Sequence, residues 1–253
     1  GRTGIPDRLT VDFSGGNPIV GSLSFAAGNG LHDELILTGG TFDSVTHQFD
    51  SGQAGQLQLS NGSVSTISYT GLELTSDHLT TDVREFEFGG SRDVVTIGEA
   101  DTGFSRLEVG GTGESTVFRN SDVIDVSLGG GNDVLGTAED YARSLSVEAG
   151  DGNDVIRTGA GDDLIFAGLG RDLVRAGAGD DTTYGGAGKD SLFGGAGEDV
   201  LLGNGGVGQL LSGGPGNDVL VGGSLGDRVV ETTRGDALLT STFIQTPETG
   251  HWN

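Results

Sequence analysis

The chain of 253 residues contains no cysteine, so no disulfide staples it. Positive charge is scarce: 13 Lys and Arg stand against 37 Asp and Glu, a formal net charge of −24, and Lys189 is the single lysine. That excess argues against nucleic-acid partners and against anionic membrane surfaces. Long apolar runs are missing as well. None approaches ~18 residues, so no membrane insertion is expected. No secretory leader is visible and residue 1 is Gly, which makes a processed chain, or a piece cut from something larger, the expectation. Helical periodicity is also lacking; Thr137 to Arg143 is the best candidate for a single turn. Hydrophobic residues make up only 34%, which in an aperiodic sequence would suggest disorder.

The sequence is not aperiodic. Fifty residues are glycine, and between Gly150 and Val230 they recur with aspartate at a step of nine. Gly159-Ala160-Gly161-Asp162-Asp163-Leu164-Ile165-Phe166 is one copy and Gly194-Gly195-Ala196-Gly197-Glu198-Asp199-Val200-Leu201 another. Asp154, Asp163, Asp172, Asp181, Asp190 and Asp199 keep the step, and Asp218 and Asp227 resume it. Each copy reads G-G-x-G-x-D-x-U-x, with U apolar. The glycines permit positive φ and close backbone approach, so the first six residues make a tight turn. The last three make a short strand whose U side chain (Ile156, Ile165, Val174, Leu192, Leu201, Leu220, Val229) points inward. Two copies complete a coil of turn, strand, turn, strand, and stacked coils pair their strands in parallel.

Stacking sets each turn over the turn two copies away. Asp154, Asp172 and Asp190 line one edge; Asp163, Asp181, Asp199 and Asp218 line the other. Unneutralised, such columns repel. A hard cation with about six to eight oxygen ligands suits carboxylates and turn carbonyls, and calcium fits better than the smaller, octahedral magnesium. Zinc is disfavoured because the repeat contains neither Cys nor His.

From Gly150 to Val230, with Gly129-Gly130-Gly131-Asn132-Asp133-Val134-Leu135 as an outlying copy, the run resembles the RTX, or hemolysin-type, calcium-binding repeats. That resemblance implies an all-β, right-handed parallel β-roll or β-solenoid with several calcium ions bound in its turns. It implies that the sixth-position aspartates hold the metal together with backbone carbonyls. Here those are Asp133, Asp154, Asp163, Asp172, Asp181, Asp190, Asp199, Asp218 and Asp227. The pattern departs from the family at Gly203-Asn204-Gly205-Gly206-Val207-Gly208-Gln209-Leu210, where one residue is extra and Gly208 stands where an aspartate is expected. Thr183 replaces an aliphatic U.

Upstream, Glu34-Leu35-Ile36-Leu37 and Gln56-Leu57-Gln58-Leu59 alternate with period two between Gly, Asn and Asp, the pattern of β-strands. Apolar pairs at Ile67/Tyr69, Phe86/Phe88, Leu107/Val109, Val126/Leu128 and Leu145/Val147 follow 19 to 21 residues apart, close to one coil. Residues 1–128 therefore read as irregular solenoid coils continuing into the β-roll of 129–230, the alternative being a separate small β domain over roughly 10–85. The N-terminal segment is weakly similar to stretches found beside such repeats in large secreted surface proteins. Residues 231–253 read as a cap or tail, since an open solenoid end exposes strand edges.

Catalytic patterns are not compelling. Gly222-Gly223-Ser224-Leu225-Gly226 satisfies G-x-S-x-G but sits inside a repeat turn, without the strand–elbow–helix that a hydrolase needs. His32, His47, His78 and His251 are scattered, and no H-E-x-x-H occurs. Arg234-Gly235-Asp236 is an integrin-type tripeptide of a kind common by chance in a Gly- and Asp-rich chain. With no catalytic residues assigned, the chain reads as a non-enzymatic calcium-binding module, secreted or on the cell surface, whose folding and rigidity depend on calcium. Its partners are calcium ions and a surface or matrix component, with self-association or filament formation through solenoid ends also open. The alternative is the accessory C-terminal repeat region of a secreted hydrolase, lyase or epimerase.

Overall fold

The computed structural model describes residues 6–19, 21–27, 32–50, 54–112, 114–223, 226–230 and 238–239. All elements among them are strands. At Glu139-Asp140, where a helical turn was the expectation, a single turn hydrogen bond from Tyr141 N–H to Ala138 O (3.1 Å) takes its place. Of the C-terminal cap only residues 238–239 are described; Ser224, Arg234-Gly235-Asp236 and His251 lie outside the described residues. The chain divides into two compact units, Gly1–Gly89 with Asp93–Ser127, and Gly90–Arg92 with Leu128–Asn253.

The first unit contains β1 (Arg8–Asp12), β2 (Ser22–Ala26), β3 (Glu34–Thr38), β4 (Thr41–Phe49), β5 (Ala54–Ser60) and β6 (Val64–Thr70). β7 (Leu74–Asp77), β8 (Thr80–Phe88), β9 (Val94–Asp101), β10 (Phe104–Val109), β11 (Glu114–Arg119) and β12 (Val123–Ser127) complete it. One sheet runs β1-β3-β7-β11-β10-β9 and the other β2-β6-β5-β4-β8-β12. Pairing is parallel along β1-β3-β7-β11, between β2 and β6 and along β4-β8-β12. It is antiparallel through two meanders, β4-β5-β6 and β9-β10-β11.

Those meanders break the spacing that the sequence offered as a coil length. Phe86 pairs directly with Val126 across β8 and β12, two apolar pairs further on, while Leu107 and Val109 belong to the other sheet and run antiparallel. A hairpin consumes about as many residues as a coil, so sequence spacing alone does not separate the two. Because β7 and β8 pair onward with β11 and β12, the unit extends past residue 85.

Alternation decides the core. Leu57, Leu59, Val45, Ile67, Leu35 and Leu37 are buried on the inner faces, while Gln56 and Gln58, on either side of Leu57, point away from it. One polar group sits deep among them. His47 Nε2 lies 2.9 Å from Asp77 Oδ2, and Arg84 pairs with the same oxygen and donates to Leu79 O at 3.0 Å. All three side chains are fully buried. Burial first, and the Arg84 charge second, hold His47 well below the usual imidazole range, so it is neutral and Asp77 pairs with a single cation.

The second unit is regular. It contains β13 (Val134–Thr137), β14 (Leu145–Glu148), β15 (Val155–Arg157), β16 (Leu164–Phe166), β17 (Leu169–Gly170), β18 (Leu173–Ala178) and β19 (Thr182–Tyr184). β20 (Ala187–Gly188), β21 (Ser191–Ala196), β22 (Val200–Leu202), β23 (Leu210–Ser212), β24 (Val219–Val221), β25 (Arg228–Val229) and β26 (Leu238–Leu239) follow. The orders are β13-β15-β18-β21-β23-β25 and β14-β16-β19-β22-β24-β26. Every pairing within them is parallel. The all-β, parallel-roll expectation holds here.

Register makes the core a pair of ladders. Leu135, Ile156, Val174, Leu192, Leu211 and Val229 line up on one sheet. Val147, Ile165, Thr183, Leu201 and Leu220 line up on the other. All are buried. Thr183 leaves its hydroxyl there without a hydrogen-bond partner, which costs roughly 1–3 kcal/mol relative to an apolar residue of the same shape. Outside, Phe166 and Tyr184 stack one coil apart, 4.7 Å between centroids.

Candidate metal centre

The two edges of the second unit are made by its turns, and glycine sets how closely these stack. Gly188 has φ 143°, and a Cβ there would fall 1.5 Å from Gly170 O in the turn below. On the opposite edge a Cβ at Gly197 would fall 2.0 Å from Gly179 O. Only glycine permits that approach, which brings successive rows of turn carbonyls into close contact.

Against those carbonyls stand the aspartates. On the first edge Asp133 N–H donates to Asp154 Oδ1 (2.7 Å), Asp154 N–H to Asp172 Oδ1 (2.9 Å), and Asp172 N–H to Asp190 Oδ1 (3.0 Å). On the second edge Asp163 N–H donates to Asp181 Oδ1 (2.8 Å), Asp181 N–H to Asp199 Oδ1 (3.0 Å), and Asp199 N–H to Asp218 Oδ1 (3.0 Å). The second column begins without an acid: Leu145 occupies the first slot, its N–H on Asp163 Oδ1 (2.7 Å).

Each carboxylate therefore spends Oδ1 on the neighbouring coil. The other oxygen is different. Oδ2 of Asp154, Asp163, Asp172, Asp181, Asp199 and Asp218 is buried and has no hydrogen-bond partner. Native proteins rarely leave buried carboxylate oxygens unmatched, because the desolvation cost is not recovered. Burial, and after it the facing aspartates, push Asp172 and Asp181 up to about 7; burial likewise raises Asp163 and Asp199 to about 6. Asp154 and Asp190 are also raised by burial.

Unmatched carboxylate oxygens beside rows of backbone carbonyls form an all-oxygen donor set, which suits a hard divalent cation of calcium's size. Among the described residues no three His, Cys, Asp or Glu side chains converge on one point. An ion in either column is therefore completed by turn carbonyls and not by acids alone.

An outer column runs beside each inner one. Asp180 N–H donates to Asp162 Oδ1 (2.9 Å) and Glu198 N–H to Asp180 Oδ1 (2.8 Å) on the second edge. On the first edge the matching positions are Asn132, Asn153, Arg171 and Lys189, with Asn153 N–H on Asn132 Oδ1 (2.7 Å) and Arg171 N–H on Asn153 Oδ1 (2.9 Å). The second edge is thus the more anionic, a difference present in the sequence but hidden by attention to the sixth position.

The interrupted copy resolves differently from the sequence reading. Register pairs Leu210 with Ser191 and Leu211 with Leu192, so the column position falls on Gln209 and not on Gly208. Gln209 N–H donates to Asp227 Oδ1 (3.0 Å), which continues the first edge as Asp190, Gln209 and Asp227. Asp227 Oδ2 accepts from Gly223 N–H (2.7 Å).

The first unit offers one further feature. A cavity of about 350 Å³ is lined by Val94, Thr96, Val109, Glu108 and Glu114 among others. Burial raises Glu114 to about 7, and the Tyr69 hydroxyl donates to its Oε1 (2.9 Å). Among the described residues no His, Lys or Cys lines this cavity.

Residues 148–183, 175–210 and 210–229 match the RTX calcium-binding nonapeptide repeat (four copies). The second unit thus carries RTX repeats, and they are of the calcium-binding kind. No curated protein and no solved structure matches the chain.

Proposed function

We propose that the chain is a calcium-dependent structural module that acts outside the cell, at a surface or in a matrix, and performs no catalysis of its own. The observation that carries this reading is the stack of buried, unmatched Oδ2 atoms along both edges of the roll. Two inward ladder side chains per coil, with small alanines beside them, make a thin core, and the carboxylates stacked against it repel one another unless neutralised. A divalent ion between coils supplies the missing ligand partner and couples binding to folding. An ion that binds only the folded roll stabilises it by mass action. Millimolar calcium outside cells is sufficient for modules of weak affinity, which supports an extracellular setting.

Asp154, Asp163, Asp172, Asp181, Asp199 and Asp218 would hold calcium through Oδ2, with turn carbonyls completing each shell. The test is circular dichroism on the chain before and after exhaustive chelation. Loss of the β spectrum of the roll, restored by calcium and not by magnesium, is the expected result. An unchanged spectrum in the fully stripped protein sinks the reading.

A further inference from the structure

Gln209 is the one member of either inner column between Asp133 and Asp227 that is neither an acid nor a β-strand aliphatic. It is fully buried. Its turn, Gly203 to Gln209 between β22 and β23, is one residue longer than Gly185 to Asp190 one coil earlier. The longer turn carries Asn204 at φ 63°.

The place of its carboxamide can be read against the regular turns. In the copies that open with glycine, Oδ2 of the aspartate rests on that glycine. A Cβ at Gly194 would lie 2.2 Å from Asp199 Oδ2, and one at Gly213 would lie 2.1 Å from Asp218 Oδ2. A Cβ at Gly203 would lie 1.8 Å from Gln209 Oε1. The amide oxygen thus takes the position of Oδ2, and like those atoms it has no hydrogen-bond partner. The extra methylene of glutamine carries the nitrogen further into the turn.

There Nε2 donates to Gly203 O at 2.6 Å and reaches Asp190 Oδ2 at 3.5 Å. A turn carbonyl and the unspent oxygen of the preceding aspartate are the two ligand types that a cation between these coils would use. The orientation of the amide is fixed by the first contact, since the flipped form would press two carbonyl oxygens together. Asp190 Oδ2 is accordingly matched within the protein, unlike Oδ2 of Asp154 and Asp172 in the same column.

We propose that the side-chain amide of Gln209 stands in for a calcium ion at the rung between Asp190 and Asp227, so that this rung closes without metal. The inference rests on the calcium reading above. It makes the first edge metal-bound at its start and metal-free at its end, while the second edge binds metal throughout.

Calcium bound per chain, measured by elemental analysis after equilibrium dialysis, tests this on the whole chain. Gln209→Asp restores the repeat acid, and Gln209→Glu keeps the shape while exchanging the N–H donor for a carboxylate oxygen. The expected result is at least one additional ion per chain in either variant, and a greater loss of β structure than wild type on chelation. Circular dichroism in millimolar calcium identifies a variant that does not fold, and the other then carries the comparison. An unchanged ion count in a folded variant overturns the role of Gln209 while leaving the calcium reading intact. A wild-type chain that binds no calcium overturns that reading itself, and this inference with it.

Discussion

Asp181 Oδ1 accepts the backbone N–H of Asp163 at 2.8 Å, while its own N–H reaches Asp199 Oδ1 at 3.0 Å. One residue therefore ties three successive coils, through its side chain on one side and its backbone N–H on the other, and its buried Oδ2 has no hydrogen-bond partner. Asp181→Asn keeps the Oδ1 acceptor and removes the charge. Two calcium sites are expected to weaken, each by about 10- to 100-fold, the worth of one charged ligand contact of roughly 1.5–3 kcal/mol. Titration calorimetry checks it, with Asp162→Asn as the control, because Asp162 is exposed and belongs to the outer column. Equal losses in the two variants would place the ions outside the inner column.

In chelator, the roll should be most stable in mild acid. Asp172 and Asp181 are raised to about 7, and Asp163 and Asp199 to about 6, from 3.8. Between those limits the folded chain binds more protons than the unfolded one, so stability falls as pH rises from about 4 to 7. Calcium reverses the slope, because it needs the carboxylates ionised and displaces their protons. The residual β signal by circular dichroism at pH 5 and pH 7.5, with and without calcium, should change order. A metal-free protein that gains stability toward pH 7.5 would contradict the burial of these acids.

Gly188 and Gly136 separate stacking from composition. Gly188→Ala meets Gly170 O at 1.5 Å in a backbone conformation that favours glycine; a loss of at least ~2 kcal/mol is expected from strain alone. Gly136→Ala has nothing within 4 Å and should shift stability by no more than about 0.5 kcal/mol. Urea unfolding of the calcium-loaded chain distinguishes them, and equal effects would mean that the turns do not stack as closely as described.

The second unit was legible because one period carried three independent signals. Glycine marked the turns, aspartate the columns, and Ile156, Val174 and Leu192 the inward ladder; all three agree on the step of nine. The interrupted copy was misread since Gly208 kept the count by residue number, whereas backbone pairing of Leu211 with Leu192 moved the frame by one. Pairing follows the buried side chain, and the turn absorbs the surplus residue. In the first unit the apolar spacing near nineteen had two physical sources, a coil and a hairpin. Nothing in Leu107 and Val109 themselves distinguishes an antiparallel neighbour from a parallel one. Glu114, on a strand where alternation points it inward beside Thr116 and Phe118, carried no sequence mark of its buried bond to Tyr69.

The motif repeats every nine residues, but the architecture repeats every eighteen: Val155 pairs with Leu173, and Leu173 with Ser191. Duplicating a single motif would leave each local turn and strand signal intact. It would nevertheless hand every downstream strand to the opposite sheet and carry the Asp172 position onto the edge held by Asp163. The frame of the gene and the frame of the roll differ by a factor of two. Growth by recombination preserves the identity of the edges only in paired motifs, each pair lengthening the stack by one strand spacing of about 4.8 Å.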